Sequence, residues 1–298
     1  MVEADESYDD IFPQSLFPFS RDRVSFITSQ RNKLDGYLFL DLLATDIAGI
    51  SDVQDFYPPA DQQSLKDLYF RISNSNSDIL KKHCLLYYIL QDYNADRAND
   101  YAKNVLLPDS HKRLIDGIIS LDRFEFKTAM TNLTHPGVRL QYTEKVLSTL
   151  LNHAENGALY VRMYVTATSP VLDTEHAARL YLQALCQISI ASSILFLRTV
   201  SPYWRAGLFK ILVEYYVGTG SGEHAYELAN LALSEDEDEL IRQELQQHAG
   251  LVAHNVLLVR GLHKRPESNV KPGTSEKSTR WAVFARQLKE NPSQAIQL

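Results

Sequence analysis

Residues 241–259 read IRQELQQHAGLVAHNVLLV, and the spacing of their apolar side chains decides the fold class. The apolar residues recur at steps of four, four, three, four and three: Ile241, Leu245, Ala249, Val252, Val256 and Val259. This spacing matches the 3.6-residue period of an α-helix with one apolar face. Ser234 and Glu237 form a capping-box pattern ahead of it, and the acidic run 235–239 suits the positive end of a helix dipole. The stretch therefore predicts one amphipathic helix whose N-terminus includes the acidic run.

Helix signals of the same kind recur towards the N-terminus. Ser201-Pro202 predicts a helix start, because proline is favoured at the first helical position, and Leu107-Pro108-Asp109 opens another segment. Asp173 is expected to cap a helix that continues into the apolar run from Ile188. Further helices are predicted over residues 31–47, 77–91, 97–103, 124–133, 155–166 and 223–233.

The connections between these helices are short, so successive helices are expected to be antiparallel neighbours. About a dozen such helices cannot all surround one bundle axis, and we expect them to stack side by side. No fixed repeat period is visible in the sequence. The predicted fold is therefore all-α, an irregular α-solenoid of about a dozen short antiparallel helices.

Composition excludes several other classes. The chain has 298 residues, 45% hydrophobic residues and a net charge of −7, which does not fit wholesale disorder. Twelve glycines and eleven prolines are few for a β-sandwich with many tight turns. The two cysteines, Cys84 and Cys186, form no disulfide framework, and no apolar run approaches membrane-spanning length. The sequence predicts a soluble intracellular protein without membrane insertion.

Composition also predicts three segments, residues 1–24, 25–262 and 263–298. The first contains five acidic residues within residues 1–10, followed by the proline-spaced sequence IFPQSLFPFS at 11–20, which predicts no regular helix. The second is the helical domain. The third is a basic, flexible tail, since the charge from Arg260 onwards is 8 − 3 = +5. Apolar residues from Trp281 to Leu288 predict a short terminal helix within it.

No catalytic, cofactor-binding or metal-ligating set is predicted. Asp9-Asp10 and Asn99-Asp100 are each followed by residues that cannot complete a magnesium site, and the histidines are scattered. The glycine cluster GTGSG at 218–222 lacks the Lys-Ser/Thr of a phosphate loop and is interpreted as a hinge between helices. The acidic balance argues against nucleic-acid binding, for which the basic tail is the one candidate.

The candidate partner-binding residues are Phe12, Phe17 and Phe19. They are large apolar side chains in a segment that predicts no helix to bury them. Two alternatives remain open at this point: the rings dock into a groove on a partner, or they fold back onto the chain's own helices.

The order and spacing of motifs along the chain resemble the ELYS-like helical domain. The matching motifs are Leu106-Leu107-Pro108, Leu114-Ile115-Asp116-Gly117, Leu121-Asp122, Phe126, Ala129, Leu133-Thr134-His135-Pro136, Ala158-Leu159, Ser169-Pro170-Val171-Leu172, Leu182-Gln183-Ala184-Leu185, Phe196-Leu197-Arg198, Arg205, Leu208, Phe209 and Leu212-Val213-Glu214. The resemblance covers roughly residues 31–260.

This resemblance implies a non-enzymatic nucleoporin without a small-molecule substrate. Its partners would be the large scaffold subunits of the Y-shaped outer-ring complex, and its location the nuclear pore at the nuclear envelope. The chain looks like the short fungal form, without the AT-hook of the long animal members, and pore assembly and messenger-RNA export are further expectations. Two other classes stay open: an adaptor or subunit of another large assembly, such as a proteasome lid or vesicle coat, and a helical enzyme of another family.

Overall fold

A computed structural model describes residues 8–12, 17, 19–51, 53–219, 222–248 and 250–263. These residues form sixteen α-helices, one 3-10 helix at Val53–Asp55 and no β-strand. The all-α prediction is therefore confirmed. None of the described helices combines the length and the apolar character needed to cross a lipid bilayer.

The chain divides into two compact units, Met1–Val171 and Leu172–Leu298. The described helices of the first unit are α1 (Tyr8–Ile11), α2 (Arg21–Lys33), α3 (Phe39–Ala48), α4 (Gln62–Ser73), α5 (Ile79–Tyr93), α6 (Ala95–Asn104), α7 (Asp109–Asp122), α8 (Phe126–Leu133), α9 (Thr143–His153) and α10 (Gly157–Thr168). Those of the second unit are α11 (Glu175–Ile188), α12 (Ile190–Thr199), α13 (Pro202–Gly218), α14 (Gly222–Asn230), α15 (Glu235–Gln247) and α16 (Leu251–His263).

Helix starts follow local chemistry closely. The capping box predicted at α15 is present, with Ser234 N–H 2.9 Å from Glu237 Oε2 and Glu237 N–H donating to Ser234 Oγ at 3.3 Å. The predicted start at Ser201-Pro202 is confirmed, since Pro202 is the first residue of α13. Short polar side chains cap several further helices: Ser20, Asp61, Asp78, Asn94, Thr174 and Ser189.

Neighbouring helices pack on one another within each unit. In the first unit, α7 packs against α3, α5 and α8, and α10 packs against α8 and α9. The approach of α7 to α8 requires glycine at position 117, because a Cβ there would lie 2.6 Å from the Leu133 side chain. In the second unit, α13 contacts α11, α12, α14 and α15 around a core that includes Leu182, Leu208 and Leu212. This serial packing of short helices agrees with the predicted solenoid class.

Two predicted helices are each divided in the structure. The prediction of one helix over 31–47 is wrong, because α2 ends at Lys33 and the backbone turns at Asp35 and Gly36, where φ is +59° and +86°. The prediction of one helix over 241–259 is also wrong, since α15 ends at Gln247 and α16 begins at Leu251. Gly250, which has low helix propensity, lies between them. The apolar face is shared by two helices rather than carried by one.

Three smaller expectations also need correction. Thr174, not Asp173, caps α11, because its Oγ1 accepts the Ala177 N–H at 3.1 Å. The apolar run from Ile188 does not continue α11, since Ser189 caps a new helix. Helix α4 was not predicted at all, and the described helices number sixteen rather than about a dozen. The predicted terminal helix lies outside the described residues.

Candidate partner-binding surfaces

The described residues contain no metal-binding constellation. No group of three or more His, Cys, Asp or Glu side chains among them could hold an ion. At the Asn99-Asp100 sequence, Lys103 stands where a further ligand would be required, and its Nζ lies 3.3 Å from Asp100 Oδ1. The aspartate of this sequence therefore pairs with a lysine.

Neither cysteine is an activated nucleophile. Cys84 and Cys186 are both buried free thiols. Burial raises the pKa of Cys84 to about 12 and that of Cys186 to about 11. Both thiols are consequently protonated at neutral pH, whereas the thiolate is the reactive form.

The glycine cluster connects two helices. Helix α13 ends at Gly218 and α14 begins at Gly222. The preceding residues 211–217, which a dinucleotide-binding unit would need as a β-strand, belong to α13. This cluster is therefore a helix connection, as predicted, and its proposed hinge motion stays a prediction.

Phe12 and Phe19 pack inside the first unit. Phe12 has no exposed surface, and its ring centroid lies 5.6 Å from that of Tyr93. Phe19 is also buried and lies edge-on to Tyr57, with centroids 6.0 Å apart, while Phe17 is half-buried. The structure thus has the fold-back arrangement. Partner binding through these three rings stays a prediction, and it would require the segment to leave this position.

Polar contacts hold the same N-terminal segment. Gln62 Nε2 donates to Tyr8 Oη at 3.0 Å, and Arg97 Nη2 donates to the Asp10 carbonyl at 3.2 Å. The Tyr8 ring lies edge-on to Tyr69, with centroids 5.5 Å apart. Residues 8–12 therefore pack within the first unit, and the division into segments 1–24, 25–262 and 263–298 stays a prediction.

Asp122 is a fully buried acceptor at the C-terminal end of α7. It accepts the N–H groups of Phe39 at 2.8 Å and Leu40 at 3.2 Å, and the Tyr88 hydroxyl at 2.8 Å. Burial raises the pKa of Asp122 to about 7, although these three hydrogen bonds act in the opposite direction. The carboxyl group of α7 thus accepts backbone N–H groups in the first turn of α3 that have no partner within their own helix.

Asp92 forms ion pairs with two arginines in the first unit. Its carboxylate pairs with Arg23 and with Arg123, the latter at 2.6 Å, and accepts the Tyr57 hydroxyl. These contacts join α2, α5 and the residue after α7. Like Asp122, Asp92 thus connects separate helices within the first unit.

Two bulky residues end helices in the left-handed conformation. Leu106 follows α6 with φ +51°, and Phe124 follows α7 with φ +60°. Neither position is marked in the sequence, because no local signal distinguishes a leucine or phenylalanine that takes a conformation usually adopted by glycine. Leu106 is also 84% exposed, which makes it a candidate contact residue.

The described residues define the class of all-α proteins built from short, serially packed helices. Comparison with known proteins then gives the family: residues 37–248 match the family described as "ELYS: Nuclear pore complex assembly", and the chain belongs to it. The uncharacterized protein ely5 of Schizosaccharomyces pombe (strain 972 / ATCC 24843) is 28% identical over 243 residues, which are 81% of this chain and 80% of the relative. Membership associates the chain with nuclear pore assembly and suggests a structural role.

Proposed function

We propose that this chain is a non-enzymatic structural nucleoporin that binds the Y-shaped outer-ring complex of the nuclear pore. The observation that carries the proposal is the family match over residues 37–248, which includes most helices of both units. Serial helix packing supports it, because stacked helices provide extended binding surfaces. In this role the chain supports pore assembly, and through it the transport of proteins and messenger RNA.

The proposal places the chain at the nuclear envelope. A fluorescent tag at the native locus should give a punctate nuclear rim that coincides with an outer-ring nucleoporin. In vitro, the purified full chain should co-elute with the reconstituted Y-shaped complex in size-exclusion chromatography at physiological salt. A diffuse cytoplasmic signal together with separate elution would contradict the proposal and favour a different assembly, such as a proteasome lid or vesicle coat.

A further inference from the structure

Helix α6 ends in a two-bond C-terminal cap around Leu106. Leu106 N–H donates to the Lys103 carbonyl at 3.2 Å, and Leu107 N–H donates to the Ala102 carbonyl at 2.9 Å. This is the Schellman pattern, in which the residue after the C-cap must adopt a left-handed backbone. Leu106 accordingly has φ +51°.

A leucine at this position strains the backbone. The Cβ atom crowds the neighbouring carbonyl oxygen in the left-handed region, which is why glycine is the usual residue there. Gly49, with φ +65° at the end of α3, shows the ordinary solution in the same unit. Asp35 and Ser169, which also have positive φ, are small polar residues. Leu106 belongs to neither group.

The Leu106 side chain buries little surface that could offset this strain. Leu106 is 84% exposed, and the apolar contact that usually accompanies the cap is available from buried Leu107. Phe124 has an equivalent cap and φ +60°, but its ring stacks on His153 at 4.9 Å and on Phe126 at 5.7 Å. Strain at Phe124 is therefore offset by packing within the chain, whereas strain at Leu106 is not.

The charged side chains around Leu106 differ in their ion pairing. Leu106 lines an open depression together with Asp96, Asp100, Lys103 and Lys112. Lys103 pairs with Asp100 at 3.3 Å, and Lys112 pairs with Asp116 at 2.8 Å. Among the described residues, Asp96 has no side-chain ion pair. The depression thus has an exposed leucine at the C-terminal end of α6 and, in the first turn of the same helix, a carboxylate without an ion pair.

We infer that Leu106 is the apolar anchor of a protein-binding surface. The Leu106 side chain inserts into an aliphatic pocket of the partner, and an arginine or lysine of the partner lies opposite Asp96. An exposed leucine kept in a strained conformation is accounted for when its contact is made in a complex. The partner is a helical scaffold subunit of the outer ring, and this identification rests on the proposed function. Leu106 supplies affinity, and Asp96 supplies charge complementarity and faster association.

Two substitutions of one residue separate binding from folding. Leu106→Ala removes the side chain but keeps the left-handed strain, whereas Leu106→Gly removes both. Both variants should weaken affinity of the full chain for the reconstituted Y-shaped complex at least tenfold, because the buried leucine surface is lost; biolayer interferometry measures the change. Leu106→Gly should also melt about 2–4 °C above Leu106→Ala in differential scanning fluorimetry. The matched control is Leu159→Ala, which truncates a 50%-exposed leucine on α10 and should leave binding unchanged.

The charge is tested separately. Asp96→Asn should slow association severalfold at low salt, and the difference should shrink as salt screens the charge. If the wild type binds the complex and Leu106→Ala binds it with the same affinity, the inference is overturned and the proposed function stands. A melting temperature of Leu106→Gly below that of wild type would also overturn it, because Leu106 would then stabilise the fold. Absence of wild-type binding would contradict the proposed function and this inference together.

Discussion

Arg31 and Asp41 form a buried two-point ion pair that joins α2 to α3. Arg31 Nε lies 2.8 Å from Asp41 Oδ2, and Arg31 Nη2 lies 2.7 Å from Asp41 Oδ1. Asp41 Oδ2 also accepts the Leu38 N–H at 2.8 Å, at the start of α3. One carboxylate therefore caps a helix and fixes the direction in which the chain leaves the turn at Asp35 and Gly36.

Breaking this pair should be strongly destabilising. Arg31→Met leaves the Asp41 charge buried without its partner, and we expect the free energy of unfolding to fall by about 3–5 kcal/mol. Urea denaturation followed by circular dichroism measures the change. Arg113→Met is the control, because its pair with Asp109 is solvent-exposed and should contribute less than about 1 kcal/mol. An equal loss of unfolding free energy in both variants would contradict the expectation that the buried Arg31–Asp41 pair stabilises the fold more than the exposed pair.

Asp122 should make stability fall as the pH rises through the weakly acidic range. Its pKa is about 7 in the native chain, against about 3.9 when unfolded. Between these values the native state holds a proton that the unfolded state has lost, so raising the pH favours unfolding. For this one group the slope approaches about 1.4 kcal/mol per pH unit near pH 5–6.

Asp122→Asn tests that slope by removing the titrating group. Urea unfolding of wild type and variant at several pH values between 4.5 and 7.5 gives the comparison. The variant should be less stable overall, because an amide nitrogen replaces an acceptor oxygen that the Leu40 and Tyr88 donors require. The negative slope should disappear from the variant. Parallel curves for the two proteins would assign the pH dependence to other groups.

Phe12 should contribute to folding of the first unit. Phe12→Ala empties a fully buried site beside Tyr69 and Tyr93, and we expect a loss of about 3–5 kcal/mol in the free energy of unfolding. Phe17→Ala, at a half-buried position, should cost about 1 kcal/mol or less. If Phe12→Ala leaves the unfolding curve unchanged while partner binding is lost, the ring serves a partner instead.

The capping box of α15 offers a separate stability test. Ser234→Ala removes the acceptor of the Glu237 N–H and should cost about 1 kcal/mol. Ser201→Ala is the matched control, because the Ser201 side chain makes no capping hydrogen bond to α13. Thermal unfolding of both variants gives the difference, and a larger effect at Ser201 would refute the capping assignment.

Local features were predictable from the sequence, whereas features set by distant packing were not. The capping box at Ser234 and the start at Pro202 depend on neighbouring residues alone. The break at Gly250 interrupts an apolar pattern that continues across it, so periodicity concealed the helix end. Burial of Phe12 depends on Tyr69 and Tyr93, which are remote in sequence. The left-handed backbone of Leu106 could not be predicted either, because leucine rarely adopts this conformation.

Affinity capture of the tagged endogenous protein at mild salt, with partners quantified by mass spectrometry, tests whether the chain binds the Y-shaped outer-ring complex. We expect recovery of the subunits of this complex in near-stoichiometric amounts. Recovery of a different complete assembly without nucleoporins would contradict it.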